Sequence, residues 1–310
     1  MRALYGAIRR VTGRQQLLLI LLSLLVAAMA ALPLKFQQLI VNGLVEHGQV
    51  ATLAWQCLGF LGAVLLSLGL KFVLGLRQAT VGERTVLLIR ERLYANAVAD
   101  AALPGHEPQR GTLLAMLAAE AEMVGSFAGA AISTPLVQIG TLLSVLGFIA
   151  LSSPRLGLLA LAVVLPQALI VVGVQARINR GVQQRVQALR SAAERISASD
   201  LARVEDEVLA DFHAVFEARR QIFLLKLSSK LALGAVSNLG KVGILFLGGW
   251  LVLEGRGDVG TVVATLTGLT RIEGPWRDLV SFFRTLSTVR VKYEMLARAL
   301  LVRGVPGVDS

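Results

Sequence analysis

Long apolar runs alternate with polar stretches along the whole chain. Six of them, residues 17–41, 53–76, 124–151, 156–174, 231–253 and 259–280, reach or approach the roughly 20 residues that a membrane-spanning helix needs. The last is crowded near its end by Arg271, Glu273, Arg277 and Asp278. The connections between runs alternate in length. Glu46-His47-Gly48-Gln49, Ser152-Ser153-Pro154 and the stretch from Glu254 to Asp258 are tight turns, whereas residues 77–123 and 175–230 are long. The long ones do not read as loops, because no proline stands between Pro33 and Pro104 or between Pro166 and Pro275. In the first, Val86, Ile89, Leu93 and Ala97 recur at helical spacing among Glu83, Arg84, Arg90 and Glu91. A helix from Leu53 to Ala102 measures about 75 Å at 1.5 Å per residue. The hydrocarbon layer takes about 30 Å, so a large part projects beyond it. The fourth run continues in the same way through Ala176 to Ala193, and the fifth helix begins near Glu207. The pattern predicts an all-α polytopic membrane protein: six transmembrane helices and two long helical hairpins, residues 77–123 and 175–230.

Composition sharpens this. The chain is 55% hydrophobic and 16% charged, with a mean hydropathy of +0.67, which excludes a disordered chain and an ordinary soluble domain. A net charge of +11 would suit nucleic acid, but the placement of the cations answers for it. Four lie before the first run, five in the first long connection, ten in the second and seven from Arg271 onward, so 26 of the 31 fall on one side. That asymmetry puts both termini and both hairpins in the cytoplasm of a multi-pass protein of the cell (inner or plasma) membrane, and no nucleic-acid partner is needed. A signal peptide over residues 17–31 is disfavoured, because the apolar character continues to Val41. Cys57 stands in an apolar run and reads as a small buried hydrophobe. His47, His106 and His213 have no metal-ligand spacing, and no metal is expected.

Local sequence points further. Leu103-Pro104 is followed by Gly111-Thr112-Leu113-Leu114-Ala115-Met116-Leu117, with Glu120 or Glu122 shortly after. Gly257-Asp258-Val259-Gly260-Thr261-Val262-Val263-Ala264 leads a helix with Pro275 further on, and Arg290 to Leu300 continues as a charged helix. With six spans, short outer turns and two inner hairpins, these segments resemble the transmembrane domain of a type I ABC exporter. Two departures stand out: Ala115-Met116 replaces the family's usual Ser-Arg, and Asp211 stands where glycine is common. The resemblance implies a subunit that dimerises, with itself or with a second membrane subunit, to form a translocation pathway in the lipid bilayer. It also implies that residues 290–300 belong to the helix that ordinarily runs on into an ATPase domain.

A nucleotide site needs Gly-x-x-x-x-Gly-Lys-Ser/Thr, so that backbone amides and lysine wrap the phosphates. The one Gly-Lys pair, Gly240-Lys241, is followed by Val242, has Ala235 at the first glycine position and lies in an apolar run. No Ser-Gly-Gly-Gln signature occurs, and too little follows Leu300 for an ATPase domain. The chain is expected to carry no catalytic or nucleotide site and no cofactor of its own, with ATP and Mg bound by a nucleotide-binding ATPase subunit on another chain. The hairpin tips, with Glu107, Gln109, Asp200 and Arg203, are the expected coupling surface for that partner.

Three lysines lie within the apolar runs: Lys35, Lys71 and Lys241. A lysine at membrane depth usually faces a bundle interior or water, so these are the candidate pathway residues, suited to an anionic or amphipathic substrate. Lys35 and Lys71 stand near span ends, within snorkelling reach of the interface; Lys241 is mid-span. Gln37, Gln38, Asn42 and Asn238 are expected to hydrogen-bond between helices. Pro33, Pro135, Pro166 and Pro275 are expected to kink theirs. Gly125 to Gly129 fits a small-xxx-small packing face. The rival to a transporter is a non-transporting scaffold or regulator on the same fold. A secondary transporter is disfavoured, since residues 17–151 and 156–280 show no convincing repeat.

Overall fold

The structure, a computed structural model, describes residues 2–101, 110–198 and 205–301. The described residues are helical apart from short turns and contain no strand. In chain order the elements are α1 (Arg2–Met29), α2 (Leu32–Val45), α3 (Val50–Ala101), α4 (Arg110–Ala115), a π-turn (Met116–Glu120), α5 (Ala121–Ala130), α6 (Ser133–Ser152), α7 (Pro154–Ala198), α8 (Glu205–Leu253) and α9 (Val259–Leu301). At 1.5 Å per residue the 52 residues of α3 extend about 78 Å.

Four prolines act in two ways. Pro33 cannot bond the carbonyl of Met29, nor Pro135 that of Ala131, and there the apolar runs divide. The run 17–41 becomes α1 and α2, and the run 124–151 becomes the end of α5 and α6. Each proline then sits in the first turn of the following helix, where an N–H has no intrahelical partner anyway. Pro166 and Pro275 instead stay inside α7 and α9.

Among the described residues, five stretches are long and apolar enough to cross a membrane: Gln15–Val45, Val50–Ala99, Met116–Ser152, Pro154–Ala193 and Asp206–Leu253. Their apolar surface faces outward to a degree no soluble fold tolerates. Only 11% of the most apolar window of α3 is buried, and Leu58, Leu61, Leu65, Leu68, Phe72 and Leu76 are exposed along it. This is the surface that lipid covers. It also corrects the reading of Cys57, which is exposed on α3: in a membrane helix an apolar neighbourhood does not mean the inside. α9 falls short of the five because charges dilute its apolar half, yet Val262, Ala264, Thr265, Leu269 and Ile272 are buried. A helix enclosed by protein need not be apolar enough for lipid.

The chain divides into two compact units, Met1–Phe148 with Val259–Ser310, and Ile149–Asp258. In the first, α3 and α5 meet backbone to backbone. A methyl on Gly129 would fall on the Gln78 carbonyl oxygen, and one on Gly125 on the backbone of Val86. Beyond this crossing Leu93, Val124, Phe127, Phe282, Leu286 and Val289 form a buried apolar cluster that brings in α9, with the Phe127 and Phe282 rings stacked at 5.5 Å.

α2 and α9 are joined by polar side chains. Gln37 Nε2 donates to Thr267 Oγ1 at 3.0 Å, Gln38 Nε2 to Thr261 Oγ1 at 2.6 Å, and the Gly260 N–H to Asn42 Oδ1 at 2.7 Å. Three of the four polar span residues thus bond between helices, while Asn238 lies exposed on α8. Asn42 satisfies one of the orphan N–H groups at the start of α9. Asn42→Leu is therefore expected to cost about 1–3 kcal/mol and lower the Tm by about 2–8 °C. Asn42→Asp, which keeps the acceptor, should retain most of it. A thermal melt in detergent reads both, and equal losses would show that the acceptor is not what matters.

In the second unit α7 and α8 form one antiparallel pair. Gly240 receives Val163, Gly243 faces Leu159, and Gly181 faces Ile222. Toward the far end Arg195 bridges Glu207 at 2.6 Å and Asp211 at 3.5 Å. Asp211, at a place where the resembling family has glycine, is here one half of an interhelical ion pair.

Candidate functional site

The first unit holds a cavity of about 590 Å³. Three of its walls come from proline-associated segments, two of them helix breaks. Met29, Ala30 and Pro33 supply the α1–α2 break, Thr134, Val137 and Gln138 the start of α6, and Arg271, Gly274, Pro275 and Asp278 the proline-bearing segment of α9. The fourth wall is the continuous α3, through Ser67, Leu68, Lys71, Leu74 and Gln78. Irregular backbone at membrane depth is tolerated only where protein buries it or it lines a cavity. The α1–α2 break and the start of α6 meet that condition together.

Three charged side chains line the space. Lys71 contributes from α3, and Arg271 and Asp278 from α9. Asp278 Oδ2 accepts a hydrogen bond from Gln138 Nε2 at 3.0 Å, which ties α9 to α6. Arg271 Nη1 reaches the Ala30 carbonyl oxygen at 3.5 Å, a long contact to the backbone at the α1–α2 break. Two cations against one hydrogen-bonded carboxylate leave the lining net positive. Apolar walls (Val26, Val64, Leu74, Val145) surround the polar groups. A second groove of about 410 Å³ shares Thr134, Gln138 and Asp278 with the first and continues along Phe127, Phe282 and Thr285. The arrangement suits a molecule with an anionic head and an apolar body.

Among the candidates read from sequence, Lys71 lines this cavity. Lys35 belongs to the same unit but does not line it; its Nζ donates to Gln38 Oε1 at 3.0 Å, within α2, beside the bond from Gln38 to Thr261. Lys241 lies on α8 in the second unit, half-buried, one residue beyond the Gly240 that receives Val163. The three lysines are therefore not one cluster in a single unit. Glu107, Gln109, Asp200 and Arg203 lie outside the described residues. Sequence reading took Arg271 and Asp278 as charges crowding the end of a span. The signal that finds them is spacing: Arg271, Pro275 and Asp278 follow at i, i+4 and i+7, on one face of α9.

A family model for the ABC transporter transmembrane region matches residues 17–202, more than half of the chain. No curated protein matches it.

Proposed function

Because the chain belongs to the ABC transporter transmembrane region family, and so is a multi-pass membrane subunit of an ABC transporter, we propose that it lines a translocation pathway driven by ATP hydrolysis on a separate ATPase chain. The single observation that carries the pathway is the cavity of the first unit, which gathers three proline-associated segments and two cations. In this reading nucleotide and Mg are bound by the ATPase partner. The subunit acts as a dimer, with a second copy or with a related membrane subunit, and the export direction follows from the resemblance to exporters. Both termini and both hairpins are cytoplasmic, in accord with the distribution of Lys and Arg.

In mechanism the chain does no bond-making. It exchanges a cavity open to one side for one open to the other, by rigid-body movement of helix pairs. The long hairpins are the levers, and Glu107, Gln109, Asp200 and Arg203 at their tips meet the ATPase. Lys71 and Arg271 hold the anionic part of the cargo, and Lys241, a mid-span lysine, is a further pathway residue.

The test is affinity capture of the full-length protein in mild detergent, with mass spectrometry of what accompanies it. An ATPase chain should co-purify, and should be lost when Glu107, Gln109, Asp200 and Arg203 are all changed to alanine. Absence of any ATPase under gentle conditions overturns the transporter reading in favour of a scaffold. An ATPase retained by the fourfold variant overturns the assignment of the tips.

A further inference from the structure

The stretch from Met116 to Glu120 is a π-turn between α4 and α5. Such a turn widens the helix and displaces a carbonyl from its usual donor, and it often marks a functional position. Here the disturbed backbone is met from outside: Arg90 Nε, on α3, donates to the Leu117 carbonyl oxygen at 2.9 Å. The turn ends on Glu120, a carboxylate only 7% exposed. Lys292 of α9 donates to Glu120 Oε1 at 2.6 Å, while Glu120 Oε2 is buried with no hydrogen-bond partner among the described residues. One buried carboxylate thus depends on one cation, delivered by a helix 172 positions away in sequence.

The pair sits beside the apolar cluster in which Leu286, Val289 and Leu296 of α9 meet Ala121, Val124 and Phe127 of α5. Apolar contact is non-directional, so those side chains hold α9 against α5 without choosing its axial position. A buried ion pair adds little stability but is satisfied in one register only, and setting register is its best-attested use. The bonds from α2 and from Gln138 fix α9 as far as Asp278; beyond it, a shift of α9 against α5 by up to one helical turn, about 5.4 Å, would keep an apolar interface and strand Glu120.

We propose that Glu120 and Lys292, on a π-turn braced by Arg90, are positioning residues that lock the axial register of the distal half of α9 against α3 and α5. The lock rests on the fold and not on the transport reading. If that reading holds as well, a displacement applied to residues 290–300 passes to the first hairpin undiminished, because α9 cannot slide past it.

The experiment is a distance measurement between spin labels at Glu91→Cys and Ser287→Cys, in the full chain in lipid nanodiscs, with Cys57→Ser. A second pair, Gln187→Cys and Phe216→Cys on α7 and α8, is the control. The parent should give one narrow distance. Glu120→Gln or Lys292→Met should add a second population displaced by about 5 Å, and Lys292→Arg should restore the single distance. The exchanged variant Glu120→Lys with Lys292→Glu should do so as well. The α7–α8 distance should stay narrow throughout. A single unshifted distance in both neutral variants overturns the lock. So does broadening at both label pairs, which would mean general loss of structure. If Glu120→Gln fails to fold, Lys292→Met, changed on the more exposed side of the pair, decides the matter alone.

Discussion

Gly129→Val is expected to prevent α3 and α5 from meeting at their observed distance. The position has no room for any side chain: the first carbon would lie 2.1 Å from the Gln78 carbonyl oxygen, which is backbone and cannot swing away. Gly125 beside Val86 repeats the condition one turn earlier, and Gly82 faces Ser126 from the other helix. The helices must separate, and every contact downstream loosens with them, including the Phe127–Phe282 stack and the apolar cluster around it. Overpacking a close-packed interior typically costs about 1–3 kcal/mol; here the obstacle is rigid, and about 3 kcal/mol or more is expected. In detergent this reads as a Tm lowered by at least about 6 °C or as loss of the monodisperse species. Gly69→Ala, on α3 with open space around it, should be neutral or slightly stabilising, since alanine is the better helix former. Equal melting of both variants would mean that the α3–α5 crossing is not what holds the unit together.

Lys71→Met is expected to remove most of the cavity's preference for anions. Of the cations in the lining, Arg271 is partly engaged by the Ala30 carbonyl oxygen, and Asp278 offsets one positive charge. Losing Lys71 therefore takes the lining from net positive to neutral. The measurement is retention of amphiphiles by the purified protein in native mass spectrometry, comparing dodecyl phosphate with dodecyltrimethylammonium. The parent should retain the phosphate at least tenfold better, a difference of about 1.4 kcal/mol. Lys71→Met should erase that preference. Asp278→Asn, which removes the opposing charge, should enhance it. A parent that favours the cation would refute the charge assignment while leaving the family and the fold untouched. Lys241→Met, in the second unit, should leave this retention unchanged and show its effect in transport alone.

Much of the architecture was legible because membrane helices obey few rules. Apolar runs of spanning length, short turns alternating with long helical connections, and the one-sided placement of Lys and Arg follow from the cost of exposing backbone or charge to hydrocarbon. Gln37, Gln38 and Asn42 were readable as interhelical bonders on the same ground, and the Gly125–Gly129 face as a packing surface. The prolines were readable as disturbances but not as outcomes. Whether a proline divides a helix or is absorbed within it depends on what surrounds the freed carbonyl, and the structure gives two of each kind.

The contents of the cavity were much less legible. Lys71 was visible as a charge in an apolar run, but Arg271 and Asp278 were hidden in a crowded span end. Only the fold shows that they line one cavity with the break before Pro33 and with Gln138. The link between Glu120 and Lys292 lay further out of reach, since nothing local in either segment announces a partner 172 residues away. The sequence by itself determined which segments are helical, which of them suit lipid and which family the chain resembles, because periodicity and hydropathy act over tens of residues. Tertiary structure alone decided which charges face each other, which glycines admit no side chain and where two helix breaks converge with the proline-bearing segment of α9. Those depend on the approach of surfaces far apart in sequence, and no local pattern encodes that distance.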